Sequence, residues 1–193
     1  MDLNDAYWNN LYAENITAWN VGTITTPLKE YFDQLTDKGL AILIPGCGYG
    51  YEAEYLLQQG FTNITLIDIS SLLCKKLEEK FAAYLTAELK VICGSFFELQ
   101  GEYDLIVEQT FFCALDPSLR PAYAAKMQQL LKPNGRLVGL LFSRNFNDGP
   151  PFGGSESEYR QLFQEYFTIS IMENCYNSIA PRKGTELFIK LIK

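Results

Sequence analysis

Histidine is absent from all 193 residues. That omission excludes every His-dependent triad, any imidazole acid–base step and any His-ligated metal, and no metal ion is expected. Chemistry here must use a cofactor, a carboxylate, a tyrosine, a lysine or a cysteine. Basic residues are in the minority: 16 Lys and Arg against 23 Asp and Glu give a formal charge of −7 and a pI near 4.7. Because phosphate binding is dominated by Lys and Arg, this balance argues against a nucleic-acid partner, although small anions remain open. No apolar run approaches the ~20 residues that span a bilayer, so no membrane partner is expected. The opening residues Met1-Asp2-Leu3-Asn4-Asp5 lack the cationic-then-apolar pattern of a secretory signal. The cysteines (Cys47, Cys74, Cys93, Cys113, Cys175) are odd in number and never in C-x-x-C spacing. They read as reduced thiols of a cytoplasmic protein, not as a disulfide framework or zinc site.

What is present is enough apolar sequence, 48% of residues, for one domain spanning 1–193 with a sizeable core. There is no internal repeat, low-complexity tract or linker to divide it. Apolar runs predict strands at 40–44, 63–68, 89–93, 103–107 and 136–142, alternating with helices. Those helices run from the turn after the first strand to Gln59, from Ser70 or Ser71 to about Leu85, and from Asp116-Pro117 to near Leu131. Ser155-Glu156-Ser157-Glu158 has capping-box spacing and starts a helix to about Tyr166. Two last strands, 167–173 and 185–191, lack an intervening helix and are expected to pair as an antiparallel edge hairpin. Residues 1–36 form an aromatic-rich leader in which Thr26-Pro27 opens a helix through about Leu35. The alternation predicts an α/β, single Rossmann-like, doubly wound sheet, mostly parallel, with helices on both faces.

The most specific local feature is the turn Ile44-Pro45-Gly46-Cys47-Gly48-Tyr49-Gly50 after the first strand, with Asp68 closing the second strand twenty-two residues beyond Gly46. A glycine turn lets a ligand touch the backbone, and an acid at that spacing can accept both ribose hydroxyls. Asp68 could alternatively cap the helix that begins at Ser70-Ser71. Tyr51 stands where a dinucleotide fold would place its third glycine, which favours S-adenosylmethionine over NAD or FAD. After the third strand, Ser95 could bond an adenine amine while Phe96 covers the ring, or Phe96 and Phe97 could simply pack. After the fourth, Glu108 is positioned to bond the methionine ammonium or the nearby backbone, whereas Phe111 and Phe112 read as core.

These stretches together resemble a class I S-adenosylmethionine-dependent methyltransferase of the thiopurine and thiol (or halide) S-methyltransferase superfamily. The resemblance runs through Tyr7-Trp8-Asn9-Asn10-Leu11-Tyr12, Ala18-Trp19-Asn20-Val21-Gly22, Ile44 to Gly48, Ile67-Asp68-Ile69-Ser70, Phe111 to Leu115, Leu131 to Gly135, Gly149-Pro150-Pro151-Phe152 and Arg182-Lys183-Gly184. It implies that the leader folds over the cofactor as a lid, with Trp8, Tyr12 and Trp19 lining the methionine end. Gly46, Cys47, Gly48, Asp68, Ile69, Ser95, Phe96, Glu108 and Gln109 would complete the cofactor site. Gln109 departs from the pattern, standing where family members place an aromatic or an arginine.

Methyl transfer from a sulfonium to a thiolate or small anion annihilates charge, so it needs a dry, aligned pocket more than a strong base. No catalytic side chain is assigned. Phe142 and Pro150-Pro151-Phe152 would wall the acceptor pocket. Arg182, with Lys183 or Arg144 as further choices, would favour a thiolate. The expected partner is a small-molecule methyl acceptor, and the chain is expected to be a monomer or weak homodimer. Two alternatives remain at this stage: an S-adenosylmethionine-binding sensor without turnover, and an NAD-dependent oxidoreductase, which the lack of a His or of a Tyr-x-x-x-Lys pair disfavours.

Overall fold

Seven strands form one mixed sheet in the order β3-β2-β1-β4-β5-β7-β6. The computed structural model of the chain describes residues 2–193. The strands are β1 (Ile42–Pro45), β2 (Ile64–Asp68), β3 (Leu89–Cys93), β4 (Tyr103–Gln109), β5 (Leu131–Phe142), β6 (Thr168–Asn174) and β7 (Glu186–Ile192). The helices are α1 (Asp5–Ala13), α2 (Thr26–Phe32), α3 (Tyr51–Gln58), α4 (Ser71–Lys80), α5 (Arg120–Leu130) and α6 (Glu156–Phe163). Strands β3, β2, β1, β4 and β5 pair in parallel, and β7 runs antiparallel between β5 and β6. The doubly wound sheet and its antiparallel hairpin are as the sequence predicts.

Side chains alternate across each strand, and this period of two divides the core into two layers. Ile42, Ile44, Leu66, Leu105, Val107 and Val138 face a layer completed by Leu28 and Phe32 of α2 and by α3 and α4. Leu43, Ile106, Leu137 and Leu141 face the opposite layer, closed by Tyr123 and Met127 of α5 and Tyr159 and Phe163 of α6. Burying such a side chain is worth about 1.5–3 kcal/mol, so the alternation fixes the register of each strand.

Boundaries of three elements differ from expectation. The helix expected to reach Leu85 ends at Lys80. Phe81 is the last residue there to reach the core, and Tyr84 and Leu85 are exposed, so no packed face holds another turn. Strand β5 begins five residues early, at Leu131, which pairs with Tyr103, while Arg136 pairs with Leu105. The Lys132–Gly135 turn is thus looped out between two paired residues, with Asn134 at φ 63°. Helix α2 starts beyond Thr25, which caps it with no side-chain bond, and stops at Phe32 instead of Leu35. The capping box at Ser155 and Glu158 forms as the spacing predicts.

The chain leaves β1 outward through β2 and β3, then returns to place β4 on the other side of β1. Ligands of open α/β sheets bind at such a reversal, beyond the carboxyl ends of the strands. Here that position opens a cavity of about 810 Å³, in the range that holds small ligands.

Candidate functional site

The glycine turn forms one wall of this cavity. Gly46, Gly48 and Gly50 all adopt the left-handed region, with φ of 55°, 51° and 70°. At Gly46 the requirement is also one of space, because a Cβ would collide with the Phe111 ring. The Gly46 N–H continues the β1–β2 pairing by donating to the Ile67 carbonyl at 2.8 Å. Cys47 and Gly48 then line the cavity.

Asp68 ends β2 beside this turn and is 8% exposed. Its Oδ1 accepts from the Ser70 N–H at 3.0 Å and its Oδ2 from the Gly48 N–H at 3.4 Å. The cap of α4 is instead Ser70, whose hydroxyl accepts from the Leu73 N–H at 3.1 Å. Asp68 therefore fixes the turn before the helix and ties it to the glycine loop, with lone pairs left for a ligand. Burial pushes its pKa up to about 6, against the opposing pull of the Ser70, Gly48 and Ile69 amides. A carboxylate so placed gains from hydroxyl donors arriving with a ligand. Ile69 and Ser95 also line the cavity. The Ser95 hydroxyl accepts from the Phe97 N–H at 3.3 Å, so it caps a short 3-10 turn and keeps its own proton for another partner. Phe96 is 5% exposed, its ring between Phe97, Phe111 and Tyr123. It reaches the cavity only by an edge, and Phe97 is the more open of the pair.

The leader divides in two. Helix α2 belongs to the core, with Leu28 and Phe32 fully buried, so the segment over the cavity is shorter than 1–36. Helix α1 docks across the start of α4: Asp5 accepts from the Ser71 N–H at 2.7 Å, and Asn9 accepts from the Ser70 hydroxyl at 2.7 Å and the Leu72 N–H at 3.1 Å. Orphan helix amides thus find partners on another helix. This anchor carries Trp8, Tyr12 and Trp19 onto the glycine turn in a series of edge-on contacts, Trp8–Trp19 at 5.6 Å, Trp19–Tyr12 at 5.7 Å and Tyr12–Tyr49 at 5.6 Å. The loop before α2 is held as well. Tyr51 donates to Asn20 at 3.0 Å, and Arg182 to the Trp19 carbonyl at 2.9 Å.

Glu108 does not take the place expected of it. It is fully buried and lies outside the cavity wall. Its Oε1 accepts from the Phe111 and Phe112 N–H groups at 2.8 and 2.9 Å, and its Oε2 from the Tyr123 hydroxyl at 2.6 Å. Of the two roles open in the sequence, the backbone one holds: Glu108 shapes the turn after β4. Gly139 opposite makes room, since a Cβ there would overlap the Glu108 main chain. Burial pushes the Glu108 pKa up to about 7, with Tyr123 and the two amides pulling it down. Its neighbour Gln109 does line the cavity. There Oε1 meets the Thr25 hydroxyl at 3.1 Å, and the buried Nε2 lacks a partner.

The far wall is aromatic. Phe142 packs edge-on against Phe146 at 5.2 Å, and the Arg182 guanidinium lies 5.5 Å from the Phe142 ring. Arg144 stacks over Phe146 at 4.8 Å. Arg182 is 7% exposed and paired with Glu186 at 3.4 Å, while Ser178 donates to the same carboxylate group at 2.8 Å. Its charge is thus matched, and it latches the leader instead of standing free as a cation. Pro150 and Pro151 reach the cavity, but Phe152 and Lys183 do not. The Phe152 ring packs on Gly149, and its N–H holds the loop by donating to the Cys113 carbonyl at 2.7 Å. Sequence reasoning missed Phe146, Thr25 and Glu52 in the wall. Glu52 was findable, being an acid in the first turn after the glycine motif. Phe146 lay in a loop without periodicity.

No helix among the described residues is long and apolar enough to cross a membrane, and no acidic or thiol cluster there could hold a metal ion. All five cysteines are unpaired.

The chain has relatives in sequence and in fold. The chain is 31% identical over 185 residues to a probable thiol methyltransferase 2 of Arabidopsis thaliana, covering 93% of this chain and 81% of that protein. It is 32% identical to thiocyanate methyltransferase 1 of Brassica oleracea with the same coverage, and 27% identical over 174 residues to a thiopurine S-methyltransferase of Vibrio cholerae, covering 81% and 79%. In fold it matches 1,6-didemethyltoxoflavin-N1-methyltransferase of Burkholderia thailandensis, solved with S-adenosylhomocysteine, at TM-score 0.77 and 20% identity, covering 98% and 86%. The magnesium protoporphyrin IX methyltransferase of Synechocystis gives 0.78 at 15% identity, covering all of this chain and 98% of that one. The family model described as thiopurine S-methyltransferase matches residues 3–189, the span that holds the glycine turn, the leader and the aromatic wall. The chain belongs to the thiopurine S-methyltransferase family.

Proposed function

We propose that the cavity binds S-adenosylmethionine and that the protein transfers its methyl group to a small sulfur acceptor, a thiol, a thiopurine-like sulfur, or thiocyanate or a halide. One observation carries this reading. A family whose relatives are named for thiol, thiocyanate and thiopurine methylation is represented here by a chain that sets a glycine turn and a buried acid in one cavity with an aromatic far wall.

The residues present suit the cofactor. Asp68 would accept from the ribose hydroxyls, and the turn Gly46 to Gly48, lining the cavity, would let the ligand lie against it. Ser95 keeps a donor for the base, and Ile69 packs beside it. Trp8, Tyr12 and Trp19 line the cavity beside the turn, and aromatic rings suit a cation at about 0.5–2 kcal/mol. Bound there, S-adenosylmethionine supplies the methyl group as a sulfonium that reacts by in-line displacement. The chain's own part is to align and to exclude water. The leader lines one side of the cavity, Phe142, Phe146, Pro150 and Pro151 wall the acceptor, and alignment of this kind supplies several kcal/mol. An acceptor that arrives as an anion needs no strong base, and the cavity wall holds neither histidine nor lysine. Arg182, matched by Glu186, offers the acceptor a guanidinium edge and a fixed dipole. The NAD alternative falls with family membership. The partner is a small molecule, the chain acts as a monomer or weak homodimer in the cytoplasm, and its negative charge disfavours nucleic acid.

Incubation with S-adenosylmethionine and, separately, bisulfide, thiocyanate, iodide and an aryl thiol tests the reading. Methylated product from at least one of the four is expected. Cofactor binding without product from any of them would overturn the assignment to sulfur and halide acceptors.

A further inference from the structure

Two buried carboxylates, Asp68 and Glu52, stand in the cavity wall with the glycine turn, and the function proposed above employs one. Asp68 is matched to a ribose. Glu52 is left over, at the second residue of α3, 7% exposed and turned to the cavity. Its carboxylate receives no hydrogen bond except from its own main-chain N–H. Two cations are near enough to influence it, yet each has a closer carboxylate: Arg182 pairs with Glu186 at 3.4 Å, and Lys80 with Glu54 at 2.7 Å. Burial pushes its pKa up to about 7, its own N–H, Arg182 and Lys80 pulling the other way. A buried acid with no cation paired to it is costly to a fold, and a ligand cation would offset that cost.

The position says which cation. Asp68 accepts from the Gly48 N–H of the turn, and Glu52 stands two residues past Gly50 on the helix that the turn opens, so the turn joins the two acids along one cavity. A nucleoside seated on Asp68 whose chain crosses the turn brings its far end toward Glu52. The other carboxylates in the wall, Asp2 and Asp116, are exposed, and Glu108 is consumed by Phe111, Phe112 and Tyr123. We infer that Glu52 receives the α-ammonium of the amino-acid end of S-adenosylmethionine, and that this inference rests on the cofactor reading above. Glu52 is then a cofactor-binding residue, doing at the start of α3 what the sequence assigned to Glu108.

The test is calorimetric titration of the full chain and of Glu52→Gln with S-adenosylhomocysteine and with 5′-methylthioadenosine, which keeps the nucleoside and thioether but lacks the amino acid. Losing a charge-assisted bond should weaken S-adenosylhomocysteine by roughly 10- to 100-fold. Methylthioadenosine should bind both proteins equally, and the unliganded variant should melt no lower than the parent at pH 8. Glu52→Asp, which keeps the charge on a shorter arm, should fall between the two for S-adenosylhomocysteine and again spare methylthioadenosine. Equal weakening of both ligands would make Glu52 a support of the turn and overturn the inference. So would unchanged S-adenosylhomocysteine affinity, including the case where turnover alone is lost, which would move Glu52 to the acceptor. A parent protein that binds neither ligand would instead remove the cofactor reading, and the inference with it.

Discussion

The two ends of the cavity are built in different ways. The nucleoside end comes mainly from one stretch, Gly46 to Ile69, in which two neighbouring parallel strands set the backbone and the acid side by side, with Ser95 added from the turn after β3. The acceptor end is gathered from β5, the loop after it, the residues around Arg182 and the leader, segments far apart in the chain. A site made of backbone leaves its mark as glycines at fixed spacing. A site made of side chains from separate loops leaves only composition. The difference predicts that changes at the first end act on cofactor affinity, and changes at the second on acceptor use.

The largest effect is expected at the joint between the ends. Glu108→Ala strands the Phe111 and Phe112 amides and the Tyr123 hydroxyl in a dry interior, which should cost about 3–5 kcal/mol of stability in urea unfolding. A loss under about 1 kcal/mol would mean that the β4 turn holds itself. Next, Asp68→Ala should weaken S-adenosylhomocysteine binding by about 1–3 kcal/mol while leaving the acceptor wall intact. Unchanged affinity would reduce Asp68 to a support of the Ser70 turn. Phe142→Ala should do the reverse: it should raise the acceptor KM several-fold, with cofactor affinity in calorimetry unmoved. Parallel loss of both would erase the contrast between the two ends.

That contrast also explains what was legible. The glycine turn, Asp68, the Ser70 cap and the Ser155 capping box depend on residues within a few positions of one another, and local spacing revealed them. Glu108 and Glu52 illustrate the limit. Both are acids one turn or strand end from the ligand site, and sequence spacing could not say which points inward. Gly139 and Tyr123, distant in the chain, turn Glu108 away. Phe146 enters the wall through contact with Phe142 and Arg144 in a loop of no regular period. The early start of β5 and the early end of α4 likewise follow from tertiary packing.

The smallest effect concerns pH. Burial raises Glu52 and Glu108 to about 7 and Asp68 to about 6, above the values of an unfolded chain. Their protonated forms are favoured by folding, so this contribution is complete below about pH 4 and is lost as pH rises through 6 to 7. The exposed carboxylates with lowered values, Asp5, Asp33 and Asp116, act only at more acidic pH. The unliganded protein should therefore melt a few degrees lower at pH 8 than at pH 5.5, and S-adenosylhomocysteine should narrow the gap by giving Asp68 donors. A melting temperature that rises over this range would contradict the burial of these acids.

A crystal structure with S-adenosylhomocysteine tests the central claim most directly. The account predicts the ribose hydroxyls on Asp68, the nucleoside along the backbone of Gly46 to Gly48, and the thioether sulfur beneath Trp19, facing Phe142. A nucleoside bound elsewhere, with Gly46 and Asp68 untouched, would contradict it.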